Sequence, residues 1–283
     1  MKTLTFFKSC AVALSVMAVA VFAVTAQATG PRVSPGAFVP VENEIFAAEQ
    51  PPFISATMEK AGLVTAVANS ALEAAGVEAV ITTLPLRSVV QYHLIQEQAL
   101  AALGSRFTFA DADKGVLSFV PVLASQTHYV YYRPAHAAAL NWDGSLKSLA
   151  GLRYGALKGE DVAPYKNAGI DIVFGSERSL LKKLKSGQVD FVRLTPLATD
   201  WLLDKHLPSD KASFAKMERP AGDVVFSMIF NTQHKNAAAV SASLKSTLRA
   251  MHGDGRYAKV LAGYLKNDKA VQAYVKMLNK HLK

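Results

Sequence analysis

Ser179-Leu180-Leu181-Lys182-Lys183-Leu184-Lys185-Ser186-Gly187-Gln188-Val189-Asp190-Phe191 holds two structural periods within thirteen residues. Leu180, Leu181 and Leu184 recur at spacings of three and four, the stripe of an α-helix with one buried face. Gly187 stops that helix, because glycine takes the left-handed cap conformation without steric cost. Val189 to Leu194 then reads as a strand. A helix feeding a strand through so short a connection is half of a β-α-β unit, so the flanking sequence should repeat the alternation.

Upstream it does. Asp171 to Phe174 is a strand candidate, followed by Gly175-Ser176 and a helix over Glu177 to Ser186. Before it come a helical turn at Leu146 to Leu149, a strand at Arg153 to Ala156 and a Gly-containing loop, Gly155 to Asp161, that enters another helix. Nearer the N-terminus, Ile45-Phe46-Ala47 is a short strand, and Pro51-Pro52-Phe53 cannot be helical. Leu63 to Ala75 is an Ala-rich helix closed by Gly76. Val77 to Thr83 reads as a buried strand, and Pro85 opens a helix where its missing N–H costs nothing. The class is therefore α/β. His128 to Arg133 and Asp223 to Asn231 are two long strands that could carry the chain between lobes. After the second, everything is helical: Ala237 to His252, Tyr257 to Leu265 and Ala270 to Leu282.

The first residues have another logic. Lys2 and Lys8 precede an apolar run from Ala11 to Val24, and Ala26-Gln27-Ala28 has the small-x-small pattern of a signal peptidase site. The run is about 14 residues, short of the ~20 needed to span a bilayer. This predicts a signal peptide over residues 1–28, cleaved after Ala28, and an exported, periplasmic product. The single cysteine, Cys10, lies in that peptide. A disulfide framework, a cysteine-based zinc site and a thioredoxin-type motif are thereby excluded. The chain of 283 residues carries 31 Lys and Arg against 22 Asp and Glu, a net charge of +9. Removing the peptide leaves +7. Such a balance favours anionic surroundings or ligands, but nucleic acid is a poor fit, because no basic cluster is interleaved with aromatics. There is no His-Glu-x-x-His, no Gly-x-Ser-x-Gly and no phosphate-binding glycine loop, so no metal or cofactor is expected.

Three segments, taken in order, resemble the periplasmic solute-binding proteins of family 3, which serve ABC importers of polar amino acids. Ser148-Leu149-Ala150-Gly151-Leu152-Arg153-Tyr154-Gly155-Ala156-Leu157-Lys158-Gly159 is similar to the family's "dLkGkkvgv..G". The opening stretch, Ser179 to Phe191, is similar to "s..ealkaLksGrvDav". Leu248 to Leu261, with Gly253-Asp254-Gly255-Arg256-Tyr257 at its centre, resembles "l..m..dGtyakil". The resemblance implies a type 2 periplasmic-binding clamshell: two mixed sheets flanked by helices, joined by two hinge crossovers. Lobe 1 would comprise 29–127 and 232–283, and lobe 2 with the hinge strands 128–231. It implies a monomer that closes on a small solute and presents it to the membrane permease of an ABC importer or to a membrane sensor. No catalysis is implied. Alternatives on the same scaffold are a regulator that signals to a membrane receptor, or a dehydratase-like enzyme drawing on Glu49, Glu160 or Asp161.

The first lobe departs from the family's pattern in ways that bear on the ligand. No acid follows Gly62-Leu63-Val64, Phe and Ser are transposed at Ser118-Phe119-Val120-Pro121, and Thr195 stands near where the family has an Asp that meets the ligand ammonium. An unpaired ammonium in a closed cleft costs several kcal/mol, so the expected solute is anionic or aromatic rather than an ordinary α-amino acid. Arg87, just after a strand end, offers a bidentate fork to an anion or else begins a solvated helix. Arg193 shares a strand face with Phe191, as an anion contact or as half of a buried ion pair. Lys158 and Gly159 could present backbone N–H groups at a helix start, or form an ordinary turn with Asp161 as cap. Phe53, Tyr129 and Tyr131 could wall the cleft against a flat ligand, or fill the core.

Overall fold

Alternation along the strands settles which side chains fill which layer. In β1 (Glu44–Ala48), Ile45 and Ala47 enter one core and Phe46 enters another on the opposite face. The computed structural model describes residues 43–96, 99–105, 115–136, 140 and 142–282, so the expected signal peptide and the start of lobe 1 lie outside the described residues. β1 pairs in parallel with β2 (Val80–Leu84) and with β3 (Ala101–Ser105). β9 (Gly222–Asn231) is antiparallel to β3 and to the long strand β4 (Leu117–Tyr132). Beyond Thr127, β4 leaves β9 and pairs instead with β7 (Phe191–Leu194) and β8 (Phe214–Lys216). β7 then runs parallel to β5 (Arg153–Leu157), and β5 to β6 (Asp171–Gly175). The two expected sheets therefore meet on β4, and hydrogen bonding is continuous in the order β2-β1-β3-β9-β4-β7-β5-β6.

Helices cover both faces. α1 (Leu63–Ala74) packs on one side of the first sheet with the C-terminal helices α6 (Ala237–Gly253), α7 (Arg256–Ala262) and α8 (Asp268–His281). On the other side, Val90 and Leu94 of α2 (Arg87–Ile95) meet Phe46, Ala102 and Ile229. In the second sheet, Leu180, Leu181 and Leu184 of α4 (Glu177–Lys185) join Val192 and Leu194, with α5 (Pro196–His206) beside them. The opposite face is an aromatic core of Tyr129, Tyr131, Tyr154, Tyr165 and Phe191, Tyr165 coming from the short helix α3 (Ala163–Asn167). Gly155 lies within β5, not in the following loop. A Cβ there would stand 2.7 Å from Val192 Cγ1 and 2.9 Å from Leu180 Cδ2, so glycine lets α4 approach the sheet.

Two expected elements differ. The segment Val77 to Thr83 is the sheet's edge rather than a buried strand; it starts at Val80, which is half exposed. The first hinge strand begins at Leu117, eleven residues before His128, because Pro121 and an adjacent bulge interrupt its pattern without ending its pairing.

Candidate functional site

Parallel strands expose their carboxyl ends on one side of a sheet, and open α/β folds gather ligands there. Here the carboxyl ends of two sets of parallel strands approach each other. Arg87, at the start of α2 after β2, donates from Nη2 to the main-chain oxygen of Lys158, which follows β5, at 2.8 Å. These groups are 71 residues apart in sequence. Gly159 has φ +83°, and a Cβ there would come within 2.5 Å of Arg87 Nη2. Glycine is thus needed twice over, for the backbone conformation and for the approach of the guanidinium. Three of the expected site residues, Arg87, Lys158 and Gly159, come together as one contact across the cleft.

Next to them, Arg193 forms an ion pair with Glu160, Nη2 to Oε1 at 2.8 Å. The Glu160 carboxylate also accepts from Tyr154 Oη at 2.7 Å and from the Leu157 amide at 3.2 Å. Arg193 is on the same face of β7 as Phe191, as period-two alternation requires, and therefore borders the tyrosine core. Burial alone would lower its pKa; the neighbouring Tyr154, Tyr165 and Glu160 outweigh that and raise it. Burial, with Tyr165 and Glu160 beside it, drives the Tyr154 phenol well above its usual range, so Tyr154 stays a donor. One of the five N–H donors of the guanidinium engages Glu160, and the fork geometry retains capacity for a second acceptor.

Four expected site residues are taken up by packing and capping, although Tyr129 stands directly across from Arg193 on the neighbouring strand. The Phe53 ring is 2% exposed, packed 4.6 Å from Phe226, and its carbonyl accepts from the Val64 amide at the N-terminus of α1. It anchors a helix rather than walling a cleft. Tyr129 is 2% exposed, edge-on to Phe191 and Trp142, and donates to Tyr165 Oη at 3.2 Å. Tyr131 is 5% exposed and lies edge-on to His136. Both tyrosines face the lobe interior, because alternation that sends Val130 to one core sends its neighbours to the other. Thr195 is buried as the N-cap of α5, its Oγ1 accepting from the Ala198 amide at 3.1 Å. The expected help from a helix start at Lys158–Gly159 is also missing. α3 begins at Ala163 and spans five residues, with the Asp161 carboxylate accepting from the Ala163 amide.

Two acids that sequence offers only as acid or base groups follow parallel strands. Glu160 is the partner of Arg193. Glu49 follows β1 at its carboxyl end and accepts from Ser55 Oγ and from the Ala56 amide. The available signal is their place after strand ends, Glu49 directly after β1 and Glu160 in the loop that follows β5. No cluster of three or more metal-ligating side chains occurs among the described residues. Among those residues no helix is long and apolar enough to cross a membrane.

No family model and no curated protein sequence matches the chain. Solved structures do. The GluR0 ligand-binding core from Nostoc punctiforme, in complex with L-glutamate, is 12% identical; the match covers 80% of this chain and 100% of that one, with a TM-score of 0.60. A histidine kinase sensor domain with similarity to periplasmic binding proteins is 14% identical over 79% of this chain and 96% of its own, with a TM-score of 0.60. The amino acid ABC transporter substrate-binding protein AbpA from Streptococcus pneumoniae, bound to L-arginine, is 18% identical over 82% and 96%, with a TM-score of 0.57. The chain thus has the two-lobed periplasmic-binding-protein fold.

Proposed function

We propose that this protein is an exported solute-binding protein whose cleft closes on a small polar solute with an anionic group and presents the closed form to an ABC importer. Residues 29–127 and 232–283 form lobe 1 in this reading, and 128–231 form lobe 2 with the hinge. The observation that carries it is the meeting of Arg87 from one side with Lys158, Gly159 and the Arg193–Glu160 pair from the other. A solute carboxylate that takes the place of the Lys158 carbonyl at Arg87, and shares Arg193 with Glu160, touches both lobes. Contact with both is the condition for a ligand to favour closure. An aromatic solute loses its support, since Phe53, Tyr129 and Tyr131 are engaged in the cores. A solute that also carries a cation gains some, since Glu160 supplies the acid that the Thr195 position lacks.

A second reading, a sensor domain that signals to a membrane receptor, draws on the likeness to a histidine kinase sensor domain. An enzyme is the weaker reading: Glu49 and Glu160 are each held by hydrogen bonds within their own lobe. The test is native mass spectrometry of freshly purified protein, followed by calorimetry with amino acids and organic acids on wild type and Arg193→Met. The expected result is one small retained mass and micromolar binding, about −8 kcal/mol, weakened at least tenfold in Arg193→Met. No retained mass and no heat with any of these compounds would overturn the proposal.

A further inference from the structure

The positive charge is not spread over the molecule. Residues 232–283 hold ten Lys and Arg against two Asp, a net of +8, whereas residues 29–231 hold nineteen against twenty, a net of −1. The whole excess of the expected mature chain thus lies in the segment that forms α6, α7 and α8. On α8, Lys269, Lys276 and Lys280 recur at spacings of seven and four and form a single stripe. The buried stripe, Val271, Tyr274 and Leu278, lies on the opposite side of the same helix. On α7, Lys259 is exposed while Tyr257 and Leu261 are buried, and on α6 Lys245 and Arg249 are exposed while Leu244 and Leu248 are buried.

Few of these cations are neutralised. Lys280 pairs with Asp223 and Arg256 with Asp254. Arg249 donates to the Leu282 carbonyl. Lys245, Lys259, Lys266, Lys269 and Lys276 are exposed and form no ion pair among the described residues. An open groove of about 760 Å³ between α1 and α7 adds Lys60 beside Lys259 and Tyr264.

From this asymmetry we propose that the α6–α8 face docks on a membrane surface rich in anionic phospholipid headgroups. Charge complementarity selects an anionic partner; the lack of an exposed large apolar side chain on these helices, and the engagement of their two arginines by the Leu282 carbonyl and by Asp254, select a lipid surface over an acidic protein. The exposed large apolar side chains of the described residues are Val80, Leu86, Val89, Tyr92 and Phe174, none of them on α6–α8. A specific protein interface draws its affinity from buried aromatic or Arg anchors. A diffuse array of lysines binds a smooth anionic surface, reversibly and without insertion. The site is separate from the cleft, and its test does not depend on the identity of the solute.

The experiment is co-flotation of the exported, processed protein with phosphatidylcholine vesicles, with and without phosphatidylglycerol. Wild type should float only with the acidic vesicles and lose that binding in high salt. Each lysine near an anionic surface strengthens binding about fivefold, so Lys259→Gln, Lys269→Gln and Lys276→Gln together should weaken it about a hundredfold. A triple variant at distant lysines, Lys147→Gln, Lys166→Gln and Lys182→Gln, should bind as wild type. No flotation with acidic vesicles, binding indifferent to salt, or equal loss in the two triple variants would each overturn the proposal. The salt series uses wild type alone and stands even if a variant fails to fold.

Discussion

Asp190 shows how a single side chain can serve as the fastener of a lobe. The residue is 7% exposed, and its carboxylate accepts three hydrogen bonds from Arg153: from the amide at 2.7 Å, from Nε at 2.9 Å and from Nη2 at 2.8 Å. Burial alone would raise its pKa; the Arg153 bonds and charge outweigh burial and hold it below the usual carboxylate value. A depressed folded pKa adds stability above the unfolded value, near 3.9, and loses it as pH falls through the folded one. Asp190→Asn is therefore expected to cost about 2 kcal/mol at pH 7, less than a fully buried pair because Arg153 is half exposed. Urea unfolding at several pH values should show the difference between variant and wild type narrowing below about pH 4. An unchanging difference across that range would mean that packing, not charge, holds the site. Arg193 illustrates what was legible at this scale. Period two correctly set it on the face of Phe191, but its partner Glu160 is 33 residues away and no local period connects them.

The elements themselves were mostly legible, and the exceptions have causes that lie in other elements. α1, α4, α6 and α8 fall within about two residues of their sequence bounds, because their apolar stripes and Gly or Asn punctuation are local signals. β4 was only half read. Its pairing with β9 shifts register between Pro121 and Leu123, leaving Val122 as the extra residue of a bulge. The Val122 carbonyl is met by Tyr257 Oη of α7 at 3.0 Å, and Tyr257 is fully buried. So the helix carrying the family-like Gly-Asp-Gly-Arg-Tyr turn secures the irregular point of the hinge strand, a contact 135 residues long in sequence. Tyr257→Phe keeps the ring and strands the carbonyl, which should cost about 1–2 kcal/mol. Chemical denaturation should show this as a lower midpoint with an unchanged slope. Unchanged stability would mean that the carbonyl finds another partner.

At the scale of the whole molecule, the question is what keeps two lobes together. The aromatic residues expected at the cleft are spent on the two cores, and a direct bond between the sides is the one that Arg87 makes to the Lys158 carbonyl beside Gly159. This hydrogen bond has a charged donor but is exposed to solvent, so it contributes about 1 kcal/mol. Closure equilibria amount to a few kcal/mol, so this single bond is a sizeable part of the difference between open and closed. A solute anion at Arg87 must replace the Lys158 carbonyl, and solute binding and the direct contact therefore compete for one guanidinium. Arg87→Ala removes both. Without solute it should reduce the closed to open ratio about fivefold, read as a larger radius of gyration in small-angle scattering or as a longer distance between spin labels on the two lobes. Gly159→Ala keeps the guanidinium but denies it room, and it should open the lobes likewise while retaining some solute affinity. If Arg87→Ala and wild type scatter identically without solute, the hinge strands β4 and β9 set the lobe spacing by themselves, and Arg87 acts only on the solute.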